Sequence, residues 1–137
     1  YTPAKAWAIA QALAGVYGPQ DVKNVSGARL AKHFACEGSV YTISSRIKSK
    51  VQFKMHNLLA DRFERGFDLI LCRNVVIYFT DEAKQTLYAR FRESLKDDGI
   101  LFIGGTETIL NAREIGFLPT SSFFYRRARL GKEAAAQ

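Results

Sequence analysis

Arg73, Asn74 and Tyr78 are the residues of this 137-residue chain whose types and spacing point most directly to chemistry. They close the run FDLILCRNVVIYF, residues 67–79, in which an apolar stretch ends in a cation, a carboxamide and a phenol. A guanidinium donates in a planar fork, a carboxamide both donates and accepts, and so does a tyrosine hydroxyl. Placed together at the end of an apolar strand, they read as the edge of a binding site.

The segment that holds them sets the fold class. Residues 67–71 read as a strand buried on both faces, the kind found in parallel sheets. In open α/β sheets ligands bind just beyond the carboxyl ends of such strands. Thr80 follows at a helix N-cap, with Asp81 and Glu82 in the first turn where the helix dipole favours them. Leu87, Phe91 and Leu95 recur at i, i+4 and i+8, so this helix packs on the sheet. Asp97-Asp98-Gly99 turns the chain, and residues 100–103 form a second buried strand ended by Gly104-Gly105. Strand, helix and strand in this order imply a right-handed parallel crossover. Phe117-Leu118-Pro119 leads to a last strand at 123–126, and the tail 131–137 is expected to fray.

The first half is less regular. Residues 4–16 have helical composition and stop at Gly15-Val16-Tyr17-Gly18-Pro19. Ser26 caps a second short helix that runs through Leu30 to Phe34. Glu37-Gly38 breaks the chain. Residues 40–43 and 51–55 read as strands with a polar turn between them, and 61–66 as a charged loop.

Bulk properties bound the rest. A hydrophobic content of 47% over 137 residues allows one compact domain with a core, hardly two. No apolar run reaches transmembrane length, and the first residues lack a signal-peptide layout, so a soluble cytoplasmic protein without membrane insertion is expected. Cys36 and Cys72 fit no metal-ligand spacing and read as buried free thiols, and His33 and His56 form no cluster, so no metal is expected. The net charge of +7 is uneven. Residues 1–65 hold ten Lys/Arg against four Asp/Glu, whereas residues 66–137 hold ten against nine. The excess is densest at Arg46, Lys48, Lys50 and Lys54, a patch suited to an acidic protein surface, nucleic acid or an anionic membrane.

These residues resemble the C-terminal part of the CheR family, S-adenosylmethionine-dependent methyltransferases that esterify glutamates of bacterial chemoreceptors. The resemblance rests on the Gly15-Val16-Tyr17 helix end, on Val51-Gln52-Phe53 followed by Asn57-Leu58-Leu59, on the whole run 67–79, and on the late strand and Gly-Thr-Glu end at 99–107. It implies an α/β fold: a partial Rossmann-like S-adenosylmethionine methyltransferase sheet with a small antiparallel β-subdomain. Residues 1–130 would form the partial domain, with the subdomain at 36–55. By the same resemblance Asn57 and Leu58 would lie against the adenine, Arg73 and Asn74 would line the cofactor site, and Tyr78 would be the catalytic residue near the transferring methyl. Taken singly, Asn57 reads as a loop cap and Tyr78 as an aromatic at the sheet edge. The chemistry asks for alignment more than for a base, because the sulfonium is an activated donor and a glutamate is already ionised at neutral pH.

The resemblance also has departures. The family's glycine-rich cofactor loop and its N-terminal helical domain, with a catalytic arginine, would precede Tyr1. Counting back from Gly15 to the family's ribose-binding aspartate reaches Pro3, which has no side-chain acceptor. Residues 1–137 alone are therefore expected not to be a competent enzyme, either as a fragment or as a form without the cofactor site. The short 35–40 loop resembles members that do not need the receptor's pentapeptide, and Arg46, Lys48 and Lys50 would meet an acidic receptor region. A sheet lacking its first strands is expected to self-associate. A non-catalytic, methyltransferase-like docking module is the alternative. A nucleic-acid binder is not expected, since neither a recognition motif nor a stacking platform is present.

Overall fold

The computed structural model describes residues 3–104 and 107–129. The expected frayed tail, Gly105 and the side chain of Pro3 lie outside the described residues. The chain divides into two units, residues 1–56 and 57–137.

In the first unit, α1 (Pro3–Ala14) is alanine-rich and has no basic residue in its last turn. It ends because Gly15 turns left-handed at φ +66°, where a Cβ would meet Cγ2 of Ile43 at 2.6 Å. Lys48 supplies the missing cation from a distance, its Nζ donating to the Ala14 carbonyl at 3.2 Å. β1 (Val16–Tyr17) follows at once. Ser26 caps α2 (Gly27–His33), its hydroxyl accepting from the Arg29 N–H at 3.3 Å. The helix gives way at Phe34 to β2 (Phe34–Glu37), which pairs antiparallel with β3 (Val40–Ile43) around a left-handed Gly38. β1 pairs with the other edge of β3, so the sheet order is β1-β3-β2.

Residues 51–55 are not the strand their composition suggested, and the polar turn before them contains a short helix, α3 (Ser45–Lys48). The reason is edge availability. β3 already carries β1 on one side and β2 on the other, so it offers residues 51–55 no open edge.

The second unit is built on β4 (Phe67–Leu71), α4 (Asp81–Ser94) and β5 (Leu95–Phe102), with β4 and β5 parallel as expected. The Thr80 hydroxyl caps α4 by accepting from the Ala83 N–H at 3.2 Å. After α5 (Ala112–Ile115), β6 (Phe117–Ser121) and β7 (Phe124–Arg127) form an antiparallel pair, and β7 also flanks β5. The sheet order is β4-β5-β7-β6. The expected turn at 97–99 is instead part of β5. Asp98 adopts a left-handed φ of 64°, and the register against β4 shifts between Phe67 and Leu69, so the turn residues are absorbed as an irregularity within the strand.

Register decides the faces of this sheet. Ile70, Leu101 and Tyr125 are partners across three strands, on the face where Leu87, Tyr88 and Phe91 of α4 complete the core. Leu71, Phe102 and Phe124 are partners on the opposite face. Leu69 and Leu71, two residues apart on that face, are 51% and 62% exposed. β4 is therefore not buried on both faces. Among the described residues it has one strand neighbour, and α4 covers one side only.

Candidate functional site

The chain leaves β4 at a fixed point. The Cys72 N–H donates to the Phe102 carbonyl at 2.9 Å, extending the parallel ladder by one residue, and the Cys72 side chain is buried, whereas Cys36, on the edge strand β2, is exposed rather than buried as expected. Burial, and then the Glu107 carboxylate, push its thiol pKa up, so it stays a packed, protonated group. Arg73 comes next and is exposed. Asn74 then turns the backbone left-handed at φ 58°, a conformation that asparagine tolerates better than most side chains. Val76, 1% exposed, pins a single 3₁₀ turn, Val76–Tyr78, into the core. Two residues on, that turn carries Tyr78 outward to 82% exposure. Arg73, Asn74 and Tyr78 thus form one exposed tip at the carboxyl end of a parallel strand. Beside them, Gly104 at the end of β5 is buried at φ +85°, and a Cβ there would stand 3.8 Å from Nε of Arg73.

Asn57 and Leu58 belong to a separate turn. The Asn57 N–H donates to Asp61 at 2.7 Å, and its side-chain Oδ1 accepts from the Leu59 N–H at 3.1 Å. The loop-capping role is therefore realised, and it leaves the side-chain NH₂ to donate elsewhere. The Leu58 carbonyl accepts from Arg90 Nη1 at 3.0 Å, while the Arg90 guanidinium lies 5.9 Å from the Phe63 ring centroid. Arg90 was not singled out from the sequence, since 32 residues separate it from Leu58 and no local pattern links them. No hydrogen bond or ion pair among the described residues joins this turn to the Arg73–Tyr78 tip.

A cleft of about 510 Å³ lies between the loop after this turn and α4, lined by Asp61, Arg62, Phe63, Arg65, Arg90 and Glu93 among others. None of the expected site residues lines it, and several of its charges are already engaged locally, Arg65 with Glu93 at 4.0 Å and Asp61 with Asn57.

A second group passed over in sequence sits behind the tip. Lys84 of α4 lies 3.6 Å from Glu107, with both side chains largely buried. Spacing along α4 could have drawn attention to it, because Lys84 and Tyr88 stand one turn apart with Tyr88 in the core.

The basic residues expected to meet a receptor lie in the first unit. Arg46 and Lys48 are on α3 and Lys50 follows it, all exposed, so the expected polar turn holds a short helix. Lys48 spends one donor on the Ala14 carbonyl. Among the described residues no helix is long and apolar enough to cross a membrane.

Comparisons with known proteins agree on one family. The family model described as CheR methyltransferase, SAM binding domain, matches residues 4–123. A chemotaxis protein methyltransferase of Listeria monocytogenes is 41% identical over 117 residues, covering 85% of this chain and 45% of that protein. Chemotaxis protein methyltransferase 1 of Pseudomonas aeruginosa is 36% identical over 91 residues, 65% of this chain and 33% of the relative. The Escherichia coli chemotaxis protein methyltransferase is 35% identical over 106 residues, 72% of this chain and 37% of the relative. The chain thus spans less than half the length of each of these three relatives.

Proposed function

The chain belongs to the CheR methyltransferase family, and we propose that it is the C-terminal part of a cytoplasmic protein-glutamate O-methyltransferase that methylates chemoreceptor glutamates. The family's cofactor is S-adenosylmethionine. The observation that carries the reading is the exposed Arg73-Asn74-Tyr78 tip at the carboxyl end of the parallel β4, where ligands of open α/β sheets bind.

The residues present fit such a cofactor. Arg73 and Asn74 are exposed polar groups at a strand tip, and Gly104, at φ +85° and without a Cβ, adds no side chain beside Arg73. The free NH₂ of Asn57 suits a ring-nitrogen acceptor, and Leu58, partly buried against the core, offers an apolar face. When bound, the sulfonium supplies an activated methyl group. The protein's own part is to hold the acceptor carboxylate in line. Tyr78, free in water at the tip, would donate its hydroxyl hydrogen to that carboxylate, and Arg73 would attract it by charge. A glutamate side chain arrives ionised, so this geometry asks for no strong base.

The first unit would face the receptor. Arg46, Lys48 and Lys50 give it an exposed basic stretch for an acidic helical surface. The β2–β3 turn supports independence from a receptor pentapeptide, because Glu37 pairs with Val40 and only Gly38 and Ser39 intervene. The uncovered face of β4 supports self-association of residues 1–137 when they stand by themselves.

Methyl transfer from labelled S-adenosylmethionine to a receptor cytoplasmic fragment tests the function in the full-length protein that carries this segment. Base-labile label on receptor glutamates is the expected result. Receptor binding without label would instead establish the docking module.

A further inference from the structure

Lys84 and Tyr88 are one turn apart on α4, and both address the stretch that follows β5. The Lys84 Nζ and Glu107 Oε2 are 3.6 Å apart, with side chains 25% and 15% exposed. Tyr88 is 2% exposed, and its hydroxyl has no hydrogen-bond partner among the described residues. Burial, and then the Glu107 carboxylate, push the Tyr88 pKa up to about 12, and the same carboxylate acts on Cys72. Two residues beyond Glu107, the buried Ile109 N–H donates to the Tyr125 hydroxyl at 3.1 Å. Glu107 is thus tied to α4 through Lys84, while its neighbour Ile109 is tied to β7.

This stretch is the neighbour of the tip. β4 and β5 are parallel partners with Leu71 opposite Phe102, the Cys72 N–H bonds the Phe102 carbonyl, and Gly104 lies beside Arg73. A largely buried ion pair adds little net stability, because desolvation offsets its Coulomb attraction. What it fixes is geometry and local charge. With Lys84 in place, the Glu107 carboxylate is paired. Without Lys84, an uncompensated, largely buried carboxylate would act on Cys72, the residue that leads into Arg73.

We propose that the Lys84–Glu107 ion pair, beside the buried Tyr88 hydroxyl, is a positioning pair that holds the Cys72-Arg73-Asn74 tip open for its ligand. Neither residue is a catalytic group. The proposal rests on the methyltransferase reading of that tip, which makes S-adenosylhomocysteine, the demethylated product, a usable probe.

The test uses the full-length protein, with Lys84→Met and the double variant Lys84→Met/Glu107→Gln. Calorimetry with S-adenosylhomocysteine should show roughly tenfold weaker binding for the single variant and recovery to within about threefold for the double. Amide hydrogen exchange should quicken across residues 72–79 in the single variant, not in β7, and return to the wild-type rate in the double. Wild-type affinity and exchange in Lys84→Met would overturn the proposal. So would a double variant no better than the single, or a uniform rise in exchange with a lowered melting temperature, which marks a merely structural pair. If the wild-type protein binds no S-adenosylhomocysteine, the methyltransferase reading fails, and the exchange comparison still decides whether the pair orders the tip.

Discussion

Arg129 Nε donates to the Asp98 carboxylate at 2.6 Å, and Arg126 holds the other oxygen of the same group. Asp98 lies within β5 in a left-handed conformation, and Arg126 is on β7, so the pair closes the irregular part of β5 onto its neighbour. The Arg129 hydrogen bond, aided by Arg126, lowers the Asp98 pKa below its ordinary 3.8.

A depressed carboxylate pKa stabilises the fold above the unfolded value and loses that contribution as the pH falls through the folded value. Asp98→Asn should therefore lower the melting temperature at neutral pH. The gap to the wild type should begin to narrow near pH 3.8 and close only below the lower folded value, where both proteins carry a neutral side chain. Thermal melts across an acid series check this. A gap that stays constant down to the lowest pH would assign the effect to packing instead.

Gly15→Ala should destabilise the first unit. The position needs φ +66°, and the added Cβ would stand 2.6 Å from Ile43. The left-handed conformation alone costs a non-glycine residue roughly 1–2 kcal/mol, and the contact adds to it. Denaturant unfolding should show a loss of at least about 1 kcal/mol, with hydrogen exchange rising at Ile43, whose N–H bonds the Gly15 carbonyl at 2.9 Å.

Tyr78→Phe should separate activity from stability. With the side chain 82% exposed, its melting temperature should match the wild type. Methyl transfer in the full-length protein should fall roughly tenfold or more, the loss expected for one hydrogen bond to a charged group. Asn74→Gly, which keeps the left-handed turn and removes the carboxamide, should also lower transfer without unfolding. Normal turnover in both variants would make the tip a structural turn.

Arg90→Met should loosen the Asn57-Leu58-Leu59 turn at a distance. It removes the 3.0 Å hydrogen bond to the Leu58 carbonyl and the contact with Phe63 while keeping an aliphatic stem. The loss should be about 1–2 kcal/mol of stability. S-adenosylhomocysteine affinity should weaken in step, measured by calorimetry.

Leu71→Lys should reduce self-association of residues 1–137. Leu71 is 62% exposed on the edge strand β4, and a lysine there both removes apolar area and blunts the edge. Light scattering over a range of concentrations should give a lower apparent mass for the variant, approaching 15.4 kDa.

The local and periodic part of this protein is legible in its amino-acid order. The Thr80 cap, the Leu87–Phe91–Leu95 stripe and the apolar run before Arg73 each record their structure within a few residues, and together they specify a parallel strand–helix–strand unit with a polar tip. The CRN-x-x-IYF string, read as a resemblance, pointed to the family that the comparisons bear out. Tertiary structure decided the rest. An apolar run cannot state how many neighbours a strand will have, so the exposed face of β4 became visible only with the sheet order. Residues 51–55 have strand composition, yet β3, the strand that precedes them, is already paired on both sides by β1 and β2. Asp97-Asp98-Gly99 has turn chemistry, but Leu95 before it and Ile100 after it both pair with β4, so it becomes an irregularity within β5. The couplings Arg90–Leu58 and Lys84–Glu107 join residues far apart in the chain, and no local periodicity encodes a partner at that range.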